Sequence, residues 1–332
     1  MTNEKGNSFG ILRYYAAFCV MYLHFTGYMM SLVPDHVRGI GVLRSIVNFY
    51  QPTVIMFAIS GFLISASLER GGMDAKTFVK KRFSRLYPDL WLSMAVYIAA
   101  LYLIIRDKFD SSILKWCFTQ GIGIAGTPSC LKDFATGSIN GPMWYFTVLI
   151  QLYILVFLFK LITKNSRSSV LYGITCAVLA VCNIICSMSV SKIGDTGAKL
   201  LERFFLPYAV WFFMGVFIQT CKLHEIKNIK TISLITVIIH AVIRISGTYD
   251  IGYYTGVITG ICTCILTIAA AHLLTCTKIK TDLSYGMYLY HWLFLNLIIH
   301  YQLYDKFHWM VCLIIFTLST IVFAYIFRVK RK

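Results

Sequence analysis

His24 is the residue whose type and setting most invite chemistry. It lies in the apolar stretch Phe9 to Met30, FGILRYYAAFCVMYLHFTGYMM, and follows Arg13 by eleven positions. Eleven helical steps of 100° overshoot three full turns by about 20°, so both side chains share one face, roughly 16 Å apart along the axis. An ionisable group in hydrocarbon costs roughly 2.5–3.5 kcal/mol on insertion scales, so a stripe carrying two of them is expected to face protein, a ligand or water rather than lipid. A neutral imidazole offers one free nitrogen lone pair, which is what a general base requires near neutral pH. A histidine bonded to a neighbouring helix for packing alone fits the same position.

A second group of candidates is the basic run FVKKRFSRLYP, Phe78 to Pro88, in which Arg82 and Arg85 stand three apart. Neighbours on one helical face, their two guanidinium forks can clamp a phosphate. An ordinary positive anchor before the next span explains the run equally well. Further candidates for an acceptor or supporting site are Ser60 in FAISGFLIS, Trp144 and Tyr145 in GPMWYFTVLIQLY, and Tyr288 and His291 in SYGMYLYH. Each also has a structural explanation: small residues permit close helix packing, aromatic residues line membrane interfaces, and Ser284 is suited to cap a helix. His240, Arg244 and His272 are further intramembrane polar groups whose partners the sequence does not identify. No G-x-S-x-G elbow, P-loop or GxGxxG fingerprint is present.

The elements that must hold these residues are membrane helices. Of 332 residues 58% are hydrophobic and 15% aromatic, and the mean hydropathy is +0.70, too apolar for a soluble domain. About ten spans are expected, near 9–31, 50–68, 86–106, 142–162, 168–189, 204–220, 229–246, 252–274, 284–303 and 308–327, each close to the length that crosses about 30 Å of hydrocarbon. The fold class is therefore an all-α polytopic bundle in one transmembrane domain over 1–332, with no appended soluble domain and no cleavable leader. Nineteen Lys and Arg fall on the side that holds both termini and eleven on the other, which places the termini in the cytoplasm. Arg13 then lies near the inner end of the first helix and His24 deeper. The formal charge of +17 follows from this loop bias, and no basic soluble module suggests nucleic acid. The eleven cysteines mostly sit singly in apolar runs and show no metal-ligand spacing, so no metal is expected. Cys117 and Cys130 share the long segment 107–141, whose apolar piece near Ile113 to Ile124 suggests an interfacial or re-entrant element.

Taken in order, these segments resemble the integral-membrane acyltransferase family 3, largely bacterial O-acetyltransferases of surface glycans. The resemblance covers nearly the whole chain. It is carried by Arg13 and His24, ISGFLI (Ile59 to Ile64), Arg82-x-x-Arg85-Leu86-x-Pro88, MWYF (Met143 to Phe146) leading to Tyr153, FFMG (Phe212 to Gly215) and SYGMYLYH. It implies a multi-pass enzyme of the inner (cytoplasmic) membrane, embedded among membrane lipids, that takes acetyl-CoA from the cytoplasm and acylates a hydroxyl of a cell-surface or exported glycan, in some cases a lipid-linked one. On matching positions Arg13, Arg82 and Arg85 would bind the donor coenzyme, and His24 would be the catalytic base or acyl carrier. Polysaccharide-assembly proteins are the implied partners, and an extracytoplasmic transferase would be a separate protein. One departure stands out: where many relatives carry acidic residues after the aromatic pair of the fourth span, this chain has Leu149, Ile150 and Gln151. A transporter or flippase of a glycan or charged metabolite is the alternative from another class, although paired Gly/Pro-broken spans, its usual mark, are absent from the sequence.

Overall fold

The computed structural model describes residues 8–247, 250–274, 279 and 281–329. Among them every regular element is helical: α1 (Phe9–Leu32), α2 (Val37–Val47), α3 (Pro52–Arg70), α4 (Ala75–Ile105), α5 (Ser112–Gly121), α6 (Met143–Ile162), α7 (Ser169–Ser189), α8 (Gly194–Glu202), α9 (Ala209–Thr220), α10 (Ile229–Ser246), α11 (Val257–Leu273), α12 (Ser284–His300), α13 (Leu303–Lys306) and α14 (Trp309–Ile326), joined by loops and short 3-10 turns. Each of the ten expected spans coincides with one of these helices. Fewer than ten pass on length and apolarity alone. Six helical stretches among the described residues do so, and α8 with Leu206–Thr220 forms a pair bent by 54°. At 17 residues, α11 and α12 extend only about 25 Å. α1 has the length, with 24 residues, but its tyrosines, Arg13 and His24 dilute its apolar character.

Three local departures from the sequence reading have simple causes. α4 starts at Ala75 rather than near 86, so the basic run is helical. Asp74 Oδ2 accepts the Thr77 N–H at 2.7 Å, an N-cap bond that starts the helix ahead of the lysines. Pro88 lies inside α4, where its missing N–H leaves the Ser84 carbonyl without its usual helical donor. Ser284 does not cap α12: its N–H and hydroxyl both donate to Asp282 Oδ1, so the aspartate takes that role. Cys117 and Cys130 are both free thiols.

The chain divides into two compact units. Among the described residues, one comprises those up to Ala16, Phe49–Phe78 and those within 148–280; the other comprises Ala17–Asn48, Val79–Thr147 and those within 281–332. In the first, α3 and α9 touch backbone to backbone. A Cβ on Gly61 would collide with the Phe212 carbonyl oxygen, and one on Gly215 with that of Ala58. Small residues at a membrane-helix crossing permit this approach, so ISGFLI and FFMG are two halves of one contact. The same unit closes at one end on a buried Lys160, whose Nζ lies 3.5 Å from Glu69 Oε1 and donates to Thr220 Oγ1 and Asn165 Oδ1. Gln151, which follows Leu149 and Ile150, is bonded through both amide atoms to the backbone of Arg203 and Phe205.

In the second unit α5 turns back along α4. Trp91 Nε1 donates to the Gly121 carbonyl at 2.9 Å and Tyr87 Oη to that of Ile122 at 3.1 Å. Gly121 thus lies beside a residue fourteen positions, about 21 Å, before the end of α4. Residues 122–142, irregular in conformation, follow at this level. Thr147 Oγ1 holds their start by donating to Gly123 O at 2.8 Å and accepting from Ala125 N at 2.9 Å.

Candidate active site

The second unit gathers His24, His291, Tyr288 and Tyr145. α1 brings His24 to α12, where His24 Nδ1 lies 3.0 Å from His291 Nε2 and the two rings are parallel within 3°. His291 Nδ1 lies 3.1 Å from the Met287 carbonyl oxygen. These two contacts fix the protons. A carbonyl only accepts, so His291 carries its hydrogen on Nδ1 and, as a neutral ring, presents a lone pair at Nε2. His24 must then donate from Nδ1, which leaves its own lone pair on Nε2. The contact thereby holds His24 in one tautomer. His291 is fully buried.

Trp292 forms the next wall. Its indole meets the His24 ring edge-on at 5.0 Å and the Tyr28 ring at 5.8 Å. The indole cannot swing away, because Nε1 donates to both Thr136 Oγ1 and Ser138 O at 3.0 Å. On its far side stands Gly141, where a Cβ would collide with the indole ring. Asn296, one turn further along α12, bonds Thr136 and Ser138 through both ends of its amide. Tyr288 Oη donates to the Pro142 carbonyl, and its ring lies 5.8 Å from that of Tyr145. Irregular backbone is tolerated at membrane depth only where protein or a water-filled cavity surrounds it, and residues 136–142 meet that condition by docking on α12. Trp144 is half-buried next to Tyr145.

Two contacts connect this centre to α4. Tyr285 Oη donates to the Leu86 carbonyl at 3.0 Å, directly beside Arg85. Tyr97, 1% exposed, donates to Leu289 O at 3.0 Å and accepts from Leu293 N at 2.9 Å, so one phenol spans the turn of α12 that bears His291. From Tyr285 to His291 is six residues, about 9 Å. Arg82 is half-buried and Arg85 exposed, one turn apart on α4. Arg13, on α1, and Ser60, on α3, belong to the other unit.

Three participants escaped the sequence reading. Trp292 had a faint signal, its adjacency to His291. Tyr97 had none, since nothing in an apolar run singles out one tyrosine. Arg44, twenty residues past His24, carries no signal in the sequence, yet its NH1 donates to Leu23 O at 2.7 Å and reaches Thr26 Oγ1 at 3.5 Å. No group of three or more His, Cys, Asp or Glu able to hold a metal ion occurs among the described residues.

A family model described as an acyltransferase domain matches residues 7–329. Nodulation protein 10 of Rhizobium leguminosarum bv. viciae is 27% identical over 322 residues, covering 88% of this chain and 84% of that protein. No solved structure matches the chain.

Proposed function

The chain belongs to the integral-membrane acyltransferase family 3, and from that membership we propose that it is an acetyl-CoA-dependent O-acetyltransferase of the inner (cytoplasmic) membrane acting on a glycan hydroxyl. The observation that carries this reading is the His24–His291–Met287 relay, which leaves His24 Nε2 as an unprotonated nitrogen beside a buried aromatic wall. That nitrogen takes the proton of the acceptor hydroxyl as its oxygen attacks the acetyl thioester. Formation of an acetyl-imidazole at the same nitrogen before the acceptor arrives uses the same tautomer.

The donor side of the proposal rests on Arg82 and Arg85. They lie in the same compact unit as His24, on the helix that Tyr285 ties to α12. Phosphates of the coenzyme bound at these guanidinium groups leave its extended arm to run along α12 toward the histidine pair. Arg13, one helix face with His24 but three turns earlier, is the third donor-binding candidate. With the termini in the cytoplasm, Arg82 and Arg85 precede the histidine on the path inward from the coenzyme pool. The acceptor is a membrane-proximal glycan, lipid-linked or in export, in the setting of polysaccharide assembly.

The test is transfer from labelled acetyl-CoA in native membranes. His24→Ala is expected to lower transfer by about 10²–10⁴-fold, the usual contribution of a general base, while the thermal midpoint in detergent stays at the wild-type value. Wild-type transfer by that variant would remove His24 from the mechanism.

A further inference from the structure

The second unit places one cation against the segment of α1 that carries His24. Arg44 comes from α2, and its NH1 donates to the Leu23 carbonyl at 2.7 Å, the residue before His24. It fits there because Gly27 has no side chain: a Cβ would lie 3.0 Å from that nitrogen. Of the five guanidinium N–H donors, only those on NH1 are engaged by Leu23 O and Thr26 Oγ1 among the described residues. The Nε and NH2 donors remain for something else. An arginine packed against a membrane-spanning helix, with no carboxylate partner among the described residues, is a candidate functional group.

Acyl transfer requires such a group. When the acceptor oxygen bonds to the thioester carbon, the carbonyl π electrons move onto oxygen and an oxyanion forms, while the hydroxyl proton passes to His24 Nε2. Collapse re-forms the carbonyl and breaks the carbon–sulfur bond, and the departing thiolate takes the proton back from His24. The transient negative charge appears on the oxygen beside the carbon under attack, so its stabiliser must flank the base. Backbone N–H groups are the usual donors, but the N–H groups around His24 are committed to the α1 ladder.

We propose that Arg44 is a catalytic residue that donates to the oxyanion of the tetrahedral intermediate through its unengaged guanidinium donors. The proposal rests on the reading of the chain as a His24-dependent acyltransferase. Preorganised charge of this kind acts on turnover rather than on ground-state binding.

Turnover of labelled acetyl-CoA and equilibrium binding of acetyl-CoA, both on detergent-purified protein supplemented with a membrane glycan extract, separate the outcomes. Arg44→Ala is expected to lose about 10²–10³-fold in turnover, as when one oxyanion donor is removed, with donor affinity within twofold of wild type. Millimolar guanidinium added to the variant is expected to restore turnover at least tenfold, a response that a purely structural role for Arg44 would not give. Unchanged turnover, a parallel loss of acetyl-CoA affinity, or a folded variant without rescue would each overturn the assignment. If Arg44→Ala does not fold, Gly27→Val keeps the cation but displaces it from Leu23: lowered turnover at intact affinity supports the proposal, and wild-type turnover overturns it. Failure of the wild-type protein to consume acetyl-CoA would instead strike the acetyltransferase reading on which the proposal rests.

Discussion

His291 has no reason to matter to transfer except through His24, which makes it the sharpest probe of the relay. Substituting His291→Phe keeps a ring of similar volume but removes the acceptor that fixes the His24 Nδ1 proton, 3.0 Å away. One buried hydrogen bond has a net value of about 0.5–1.5 kcal/mol, so freeing the tautomer should lower transfer by up to about tenfold. His291→Gln, whose amide oxygen can accept the same proton, should keep most of the activity. The decisive measurement is a double-mutant cycle on transfer rate in native membranes. Because His291 acts only on His24, the His24→Ala/His291→Phe protein should transfer no more slowly than His24→Ala alone. A double mutant lower by the product of the two single losses would mean that His291 works independently, and the relay would be wrong.

Three other outcomes follow from the geometry. Arg82→Ala/Arg85→Ala should weaken acetyl-CoA binding, with a loss that grows smaller as salt rises and screens the wild-type pair; equal affinity at low salt in both proteins would reduce the arginines to membrane anchors. Tyr97→Phe leaves Leu289 O and Leu293 N without the phenol they share, and should cost about 1–3 kcal/mol, read as a lower thermal midpoint, together with slower transfer because the same turn bears His291. Gly61→Ala forces a Cβ onto the Phe212 carbonyl oxygen, a backbone atom that cannot rotate aside, so it should destabilise by about 1–3 kcal/mol or more; a wild-type midpoint for this variant would show that α3 and α9 separate freely.

Much of the fold was legible because hydrocarbon imposes a strict rule. Backbone polar groups must be paired within the spanning segment, so long apolar runs translate almost directly into helices, and all ten did. What the rule could not supply was where helices continue into water. α4 extends eleven residues before its apolar part because an aspartate cap and the helix-compatible run of lysines and arginines sustain it, and hydropathy is blind to both. The candidates that stand out in the sequence are those whose chemistry is unusual in a membrane: two histidines, which the fold brings together, and a pair of arginines on α4. The pairing of His24 with His291 was out of reach, since 267 positions separate them and no local pattern links α1 to α12.

The residues that stayed hidden share a physical character, and it bears on how the site is built. Trp292, Tyr97 and Asn296 are common residues in apolar helices, and each bonds backbone, Trp292 and Asn296 adding a bond to the Thr136 hydroxyl. Trp292 and Asn296 hold the chain at Thr136–Ser138, and Tyr97 grips the turn Leu289–Leu293. Backbone carries no identity, so sequence marks neither partner in such bonds. Their effect is nonetheless specific. The irregular stretch before α6 would be intolerable in lipid, and docking it on α12 both satisfies its carbonyls and fixes the indole against His24. His24, the base in the mechanism proposed above, is thus held by a shell whose cost in unpaired groups is met by the same contacts that orient it. Loss of the Trp292 N–H bonds should therefore release the loop and the imidazole together.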